Sequence, residues 1–291
     1  MLISRGCINR CSFCNEYTDW IRYQFRDPTI VVEELAYQKS IHPTITAFWL
    51  SCSNLAGNIP KLKQFCELLT QKNLHISWDS QLSISTALNP DLLKLMKSSG
   101  CNFLHYGLES ASNKVLKLMN KGYNRKTADR IIQDTIRCGI KFNFNIVVGF
   151  PGESNYNFIE TLFFIKKILK YGISNSTAIC YISPGSVLFH HFEKFKIIDY
   201  EQEFWRTKDS WNTLHVRKAR QYFTKKLYQS KLLNPTLIKQ SKFRNSKVAF
   251  KFFDLLSYLL FSLWLVWVIC SLLIISVYNK AKFSLKNSTS D

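Results

Sequence analysis

"SRGCINRCSFC", residues 4–14, gathers Cys7, Cys11 and Cys14 in one short polar loop. Three soft thiolates so placed can hold zinc or an iron–sulfur cluster. Structural zinc takes four closed ligands, most often from two paired half-sites, and the chain has no second CxxC and no HxxxH to complete them. Zinc is therefore the weaker reading. A cubane held by three protein thiolates leaves one iron open, and an open metal position is what a reactive site requires. Three core cysteines would be the plain alternative, but Arg5, Gly6, Asn9 and Arg10 do not make a core strand.

Outward from the loop, strand-like and helical patterns alternate. "MLIS" precedes it, and the runs at 44–51, 74–80, 101–109, 141–150 and 176–183 are rich in β-branched and aromatic residues, as buried strands are. Helical patterns at 29–40, 60–73, 90–100, 125–139 and 155–172 separate them, several ending in Gly or Asn, with Pro90 at a helix start. Strict alternation predicts parallel pairing with right-handed crossovers. Counting "MLIS", six βα units predict an α/β fold, a partial (βα)6 TIM-like barrel. Chemistry in such folds collects at the C-terminal ends of the strands, and the cysteine loop directly follows the first.

With these residues the chain resembles the radical S-adenosylmethionine superfamily over residues 1–195. The motif C-x3-C-x2-C carries an aromatic, Phe13, before its last cysteine. "YQFRDPTIVVEEL" (23–35), "LNPDLLKLMKSSGCNFLHYGLESAS" (88–112), "NIVVGFPGES" (145–154) and "YISPGSVLF" (181–189) resemble, in order and spacing, the branch that usually carries an N-terminal cobalamin-binding domain. The resemblance implies a [4Fe-4S] cluster on Cys7, Cys11 and Cys14, whose open iron chelates S-adenosylmethionine; reductive cleavage then gives methionine and a 5′-deoxyadenosyl radical. It also implies that Phe13 packs on the adenine side, that the Glu109 carboxylate contacts methionine or ribose polar groups, and that Gly149, Pro151 and Gly152 let the backbone approach the adenosine. The plain readings are a helix N-terminal acid for Glu109 and a simple turn for the glycines. The sequence departs from the branch at Ser83, where an arginine is common, and at "WLSCSNLAGN" (49–58). Cys52, ending the second strand, reads as a small buried hydrophobe or as a substrate-side thiol. Cobalamin is expected only if another chain supplies it, since no cobalamin domain precedes the first strand; a truncated reading frame is the other explanation.

The 291 residues are 46% hydrophobic and 20% charged, which excludes large-scale disorder. Nine cysteines, odd in number and irregularly spaced without a signal peptide, read as reduced thiols in a cytosol-facing domain. Residues 255–278 contain no charged residue and would extend roughly 36 Å as a helix, enough to cross a bilayer core of roughly 30 Å. Tyr258 and Tyr278 lie near its ends, as interface anchors do, while Trp264 and Trp267 lie inside. Much of the formal charge of +19 precedes this segment: Arg217, Lys218, Arg220, Lys225, Lys226, Lys231, Lys239, Lys242, Arg244, Lys247 and Lys251, with no acid among them. Lys280, Lys282 and Lys286 follow it. The heavier N-terminal flank predicts a cytoplasmic catalytic part with a single-pass membrane helix. The basic run would then meet anionic membrane lipid. RNA, stacked on Tyr222, Phe223 and Tyr228, is the competing use and is not the expected partner.

The expected organisation is a core domain at 1–195, a basic, mainly helical juxtamembrane region at 196–251, a transmembrane helix at 255–278 and a tail at 279–291. The expected activity is radical chemistry at an unreactive carbon of a lipid or secondary metabolite, with flavodoxin or ferredoxin as electron donor and a separate cobalamin-binding subunit as a further partner. Two alternatives stand beside it: a tRNA-modifying methylthiotransferase, and a cluster-binding accessory subunit that turns nothing over.

Overall fold

The computed structural model describes residues 1–20, 22–169, 171–200, 204–208, 212–229, 259, 262–279 and 281. In chain order the elements are β1 (Ser4–Arg5), α1 (Glu16–Asp19), β2 (Gln24–Phe25), α2 (Pro28–Ile41), β3 (Ala47–Leu50), a 3-10 turn (Leu55–Gly57), α3 (Ile59–Lys72), β4 (Ser77–Ser83), α4 (Pro90–Ser98), β5 (Cys101–Glu109), α5 (Asn113–Leu118) and α6 (Arg125–Arg137). There follow β6 (Lys141–Val148), α7 (Asn155–Leu169), β7 (Ser174–Ile179), α8 (Val187–His190), β8 (Ile197–Ile198), β9 (Arg206–Thr207), α9 (Leu214–Gln229) and α10 (Ser262–Asn279). Two compact units share the chain. One takes Met1–Glu109, Met119–Asn145 and Pro184–Val187; the other takes Ser110–Leu118, Ile146–Ser183 and Leu188–Asp291. Strand β6 passes from the first into the second.

In the first unit, four of the helices start where a short polar side chain caps them. Asp27 accepts from the Thr29 N–H (2.9 Å), Asn58 from Lys61 (3.0 Å), Asn89 from Leu92 (2.9 Å) and Asn124 from Thr127 (3.0 Å), and three of the four helices carry proline at the first or second position. Between the helices, β3, β4 and β5 pair in parallel, Phe48 opposite Trp78 and Ser80 opposite Leu104. Along β4 the residues Trp78, Ser80 and Leu82 are buried and their neighbours are not, the period of two that a strand imposes. Trp78 packs edge-on to Phe65 (centroids 5.9 Å apart) and donates its indole N–H to the Ser99 carbonyl at 3.0 Å.

The parallel sheet has five strands, in the order β3-β4-β5-β6-β7, where the sequence predicts six. "MLIS" does run beside β3, bonded through Ile3 N–H to Ser51 O and Ser51 N–H to Met1 O, yet it forms only an isolated parallel bridge, Leu2 with Ser51. Its continuation, β1, turns instead into an antiparallel pair with β2, Ser4 opposite Phe25 and Arg5 opposite Gln24. The chain must leave the sheet direction at Gly6 to start the cysteine loop, so a long sixth strand has no room to form.

The second unit corrects the reading of the basic run. Arg217 and Arg220 are fully buried, so neither belongs to an exposed basic face. They fall on the stripe of α9 that also buries Val216, Phe223, Thr224 and Leu227, while Lys218, Lys225 and Lys226 face outward. Phe223 is no stacking platform either: it packs edge-on against Trp264 and Trp267 of α10 (centroids 6.2 and 5.1 Å). Asn279, at the other end of α10, donates to Thr213 at the start of α9 (3.0 Å), so the two helices run antiparallel. Lys231, Lys239, Lys242, Arg244, Lys247, Lys251, Lys280, Lys282 and Lys286 lie outside the described residues, as do 255–258, 260 and 261 of the expected membrane segment. Among the described residues α10 is one helix long and apolar enough to cross a membrane. It buries Leu265, Val268, Leu272 and Ser276 and exposes Leu263, Val266, Ile274 and Val277.

Trp78 ties a strand, a helix and a loop together in the first unit. Trp78→Ala should cost about 3–5 kcal/mol by leaving a cavity, and Trp78→Phe about 1–2 kcal/mol by orphaning the Ser99 carbonyl; urea denaturation of the two variants against the parent chain measures both.

Candidate active site

The cysteine loop is pinned from both sides. Ser12 N–H donates to the Met119 carbonyl (3.0 Å), and the Asn120 side chain donates to the Arg10 carbonyl (2.7 Å). Within the loop, Cys14 N–H donates to Cys11 O (3.2 Å) and Asn9 N–H to the Cys7 sulfur (3.4 Å). Asn9 also reaches Ser83 Oγ at 2.7 Å, so the residue standing where the branch often has arginine helps hold the loop. Beyond the third cysteine, Ser53 Oγ donates to the Glu16 carboxylate at 2.5 Å.

Cys11 is buried, and Cys7 and Cys14 are half-buried. All three thiols are free, and among the described residues no three His, Cys, Asp or Glu side chains have converged on metal-ligand spacing. The thiols nonetheless sense one another. Burial raises the Cys11 thiol above its ordinary value; the Lys121 ammonium opposes the rise, while Glu109 and Cys7 add to it. Burial likewise pushes Cys14 up to about 11, against a bond from the Glu16 backbone, with Cys11 and Cys7 contributing. Three soft thiols in one loop, near an ammonium, are a donor set whose chemistry fits an iron–sulfur cluster, since thiolate ligation builds up negative charge.

Glu109 ends β5 at φ +64, a left-handed conformation that a side chain other than glycine or asparagine adopts at a cost. Its carboxylate lies 3.2 Å from the Lys121 ammonium, with the two side chains 10% and 5% exposed. A Cβ at Gly107 would stand 2.8 Å from Glu109 Oε1, so a side chain there would displace the carboxylate from its seat. Burial alone would lower the Lys121 pKa, but Glu109, Tyr123 and Cys11 more than reverse this and raise it; the ammonium also stands over the Phe13 ring, 5.4 Å from its centroid. Tyr123 closes the set by donating to the Gly107 and Leu108 carbonyls (3.0 and 2.6 Å). Cys52 is a core thiol, satisfied by Ser80 Oγ and the Gln81 carbonyl, each at 3.3 Å.

Gly149, Pro151 and Gly152 belong to the second unit, in the turn from β6 to α7. Gly149 sits at φ +77, and a Cβ there would fall 2.2 Å from Cγ of Arg217, so an arginine stem occupies the space that glycine leaves open. Asn212 donates to the Gly149 and Phe150 carbonyls (2.7 and 3.1 Å), and Arg217, stacked 3.9 Å over Trp205, donates to the Asn212 carbonyl (2.9 Å). Glu153 accepts from Gly149 N–H (2.5 Å) and from Arg220 (2.9 Å), and Arg220 also donates to Asn155 Oδ1 (2.9 Å). Burial lifts the Glu153 carboxyl above its ordinary value, against the pull of Arg220 and the Gly149 N–H. Sequence reasoning missed this cage, although the arginines' place on the apolar stripe of α9 could have marked them as buried. Lys121 was missed too, and no periodicity marks it.

Residues 1–165, more than half of the chain, match the family model described as the Radical SAM superfamily. The chain belongs to the radical SAM superfamily. Among its radical SAM relatives, the bacteriochlorophyllide d C-8(2)-methyltransferase of Chlorobaculum tepidum is 27% identical over 79% of this chain and 51% of its own length. The tRNA-2-methylthio-N(6)-dimethylallyladenosine synthase of Buchnera aphidicola subsp. Cinara cedri is 30% identical over 57% of this chain and 41% of its own. The chain spans about half the length, or less, of the curated relatives it matches. In fold it is similar to the cobalamin-dependent S-adenosylmethionine radical enzyme OxsB (TM-score 0.62, 16% identity, 90% of this chain and 46% of that one) and to the radical S-adenosylmethionine methyltransferase TsrM from Kitasatospora setae (TM-score 0.58, 16% identity, 65% and 38%).

Removing one member of a buried ion pair leaves the other charge uncompensated. Lys121→Met should destabilise the protein by about 3–5 kcal/mol, and adding Glu109→Gln should recover part of that loss, which a double-mutant cycle in urea would reveal as non-additivity. In the second unit, Gly149→Ala combines a left-handed φ with the Arg217 stem and should cost about 2 kcal/mol or more; a fall in denaturation midpoint with unchanged slope is the expected result.

Proposed function

We propose that this chain is the catalytic core of a radical SAM enzyme that reductively cleaves S-adenosylmethionine and acts at an unreactive carbon. The observation that carries the reading is a loop that gathers three thiols and is pinned by the segment carrying Lys121, which pairs with Glu109. When bound, a [4Fe-4S] cluster with one iron open supplies the electron that breaks the sulfonium carbon–sulfur bond, giving methionine and a 5′-deoxyadenosyl radical. Cys7, Cys11 and Cys14 would hold that cluster. Lys121 offsets the negative charge of the Cys11 side and fixes the Glu109 carboxylate, which is the candidate contact for the polar end of the cosubstrate. Phe13 gives a flat apolar wall and helps to exclude water. The turn of Gly149, Pro151 and Gly152, kept rigid by Asn212 and Arg217, is the candidate contact for the adenosine.

Methyl transfer is the favoured outcome, supported by the methyltransferase relative that covers most of this chain. Cobalamin is a candidate further cofactor, and a flavodoxin or ferredoxin supplies the electron. The apolar outer face of α10 attaches the protein to a membrane, which favours a lipid-like or secondary-metabolite substrate. The second reading, a tRNA methylthiotransferase, draws on the relative from Buchnera aphidicola and predicts tight binding of unmodified tRNA, which the first does not.

The test is anaerobic reconstitution with iron and sulfide, then dithionite and S-adenosylmethionine, with 5′-deoxyadenosine as the readout. The expected result is a brown protein that forms deoxyadenosine, with Cys11→Ser losing both colour and product. A protein that carries a full cluster and forms no deoxyadenosine, alone or with added cobalamin-binding partner, overturns the catalytic reading.

A further inference from the structure

A cavity of about 670 Å³ lies within the second unit; it contains none of the residues assigned above to the cluster and shares Pro151 and Gly152 with the turn proposed for the adenosine. Its size is that of a small-molecule site. Three lysines line it, Lys114, Lys194 and Lys196, and none has an ion pair among the described residues. The carboxylate in its wall, Glu153, is matched by the buried Arg220, so the balance facing a ligand is strongly positive. Arg220 also lines the cavity, is 1% exposed, and has an Nε with no hydrogen-bond partner. The N-terminus of α7, fifteen residues long, opens on the same space through Ser154 and Asn155, and a helix N-terminus favours anions. Lys196 is held in place by the Lys208 N–H, which donates to its carbonyl at 2.8 Å.

The rest of the wall mixes the polar Tyr156, Thr207 and Asn212 with the apolar Leu118, Phe195 and, from α10, Leu273. Leu273 stands beside Ile274 and Val277 on the outward face of α10, so the cationic cavity borders a surface suited to hydrocarbon. Cations next to an apolar face are the arrangement that receives a charged headgroup with its chains attached. We propose that this cavity binds the phosphate of an anionic lipid, and that α10 lies along the membrane surface rather than across it. Leu273 is near the middle of α10, and a helix spanning the bilayer would carry the three lysines into the hydrocarbon, where unpaired charge is heavily disfavoured. Lying in the plane, the same helix keeps the lysines at headgroup level and turns Leu263, Val266, Ile274 and Val277 into the acyl chains.

Binding here needs no cluster, so it can be measured on iron-free full-length protein in a non-ionic detergent, and its outcome is separate from that of the deoxyadenosine assay. The probes for calorimetry are dihexanoyl-phosphatidylglycerol, dihexanoyl-phosphatidylcholine and inorganic phosphate. Saturable binding of the glycerol lipid is expected, at least tenfold tighter than that of the choline lipid or of phosphate. Lys194→Glu with Lys196→Glu should weaken it at least tenfold, Lys194→Ala alone about threefold, and Leu273→Ser should weaken the lipid but not inorganic phosphate. Lys218→Glu with Lys225→Glu, outward on α9 and away from the cavity lining, should leave it within about twofold. Equal binding of the two lipids, no saturation, or loss that follows the α9 charges equally overturns the proposal. Phosphate binding as tight as the glycerol lipid would show a free-phosphate site and overturn the lipid assignment.

Discussion

Two charges withdrawn from water persist only together, and the first unit is arranged around such a pair. The Glu109–Lys121 contact joins the end of β5 to the segment after Met119. That same segment pins the cysteine loop through the Met119 carbonyl and the Asn120 amide. The pair therefore fixes more than its own geometry. It leaves little space for a side chain at 107, and it brings a positive charge near Cys11 and over the face of Phe13. An isolated carboxylate here would be costly, and an isolated ammonium equally so, whereas the pair leaves a stable local field next to three soft donors.

The second unit repeats the logic with a different cation. Glu153 caps the Gly149 turn by accepting its N–H, which places a carboxylate where solvent cannot reach it. Arg220 supplies the compensation and also reaches the Glu153 carbonyl and Asn155, a spread of contacts that a planar five-donor group can make and a lysine cannot. Arg217, one turn earlier, stacks on Trp205 and fills the space above Gly149. A turn that the sequence presents as a plain glycine turn is thereby held in place by a segment some sixty residues further along the chain.

The parallel strands and their helices were legible because local signals agreed with the tertiary outcome. β5 occupies the run read from its apolar and aromatic residues, and the Asn-capped, proline-started helices begin where their caps stand. The family was legible from the cysteine spacing and the ordered motifs. The first strand was misread because three apolar residues in a row look alike whether they continue into a sheet or turn away at a glycine. The arginines of α9 were misread because a count of charges along the chain ignores helical phase: Arg217 and Arg220 lie on the same face as Val216 and Phe223, and only the partner carboxylate, far off in sequence, explains their burial. Lys121 was invisible for the same reason, since its worth comes from Glu109 and nothing beside it announces the pairing.

One practical boundary follows from α9. The family match stops at residue 165, and an expression fragment ended there would keep Glu153 while discarding Arg220, Arg217 and Asn212. Such a piece would hold a solitary anion in its interior and a glycine turn with no lid. The smallest self-sufficient portion of this polypeptide is therefore longer than the family match and includes α9 with the helix packed on it.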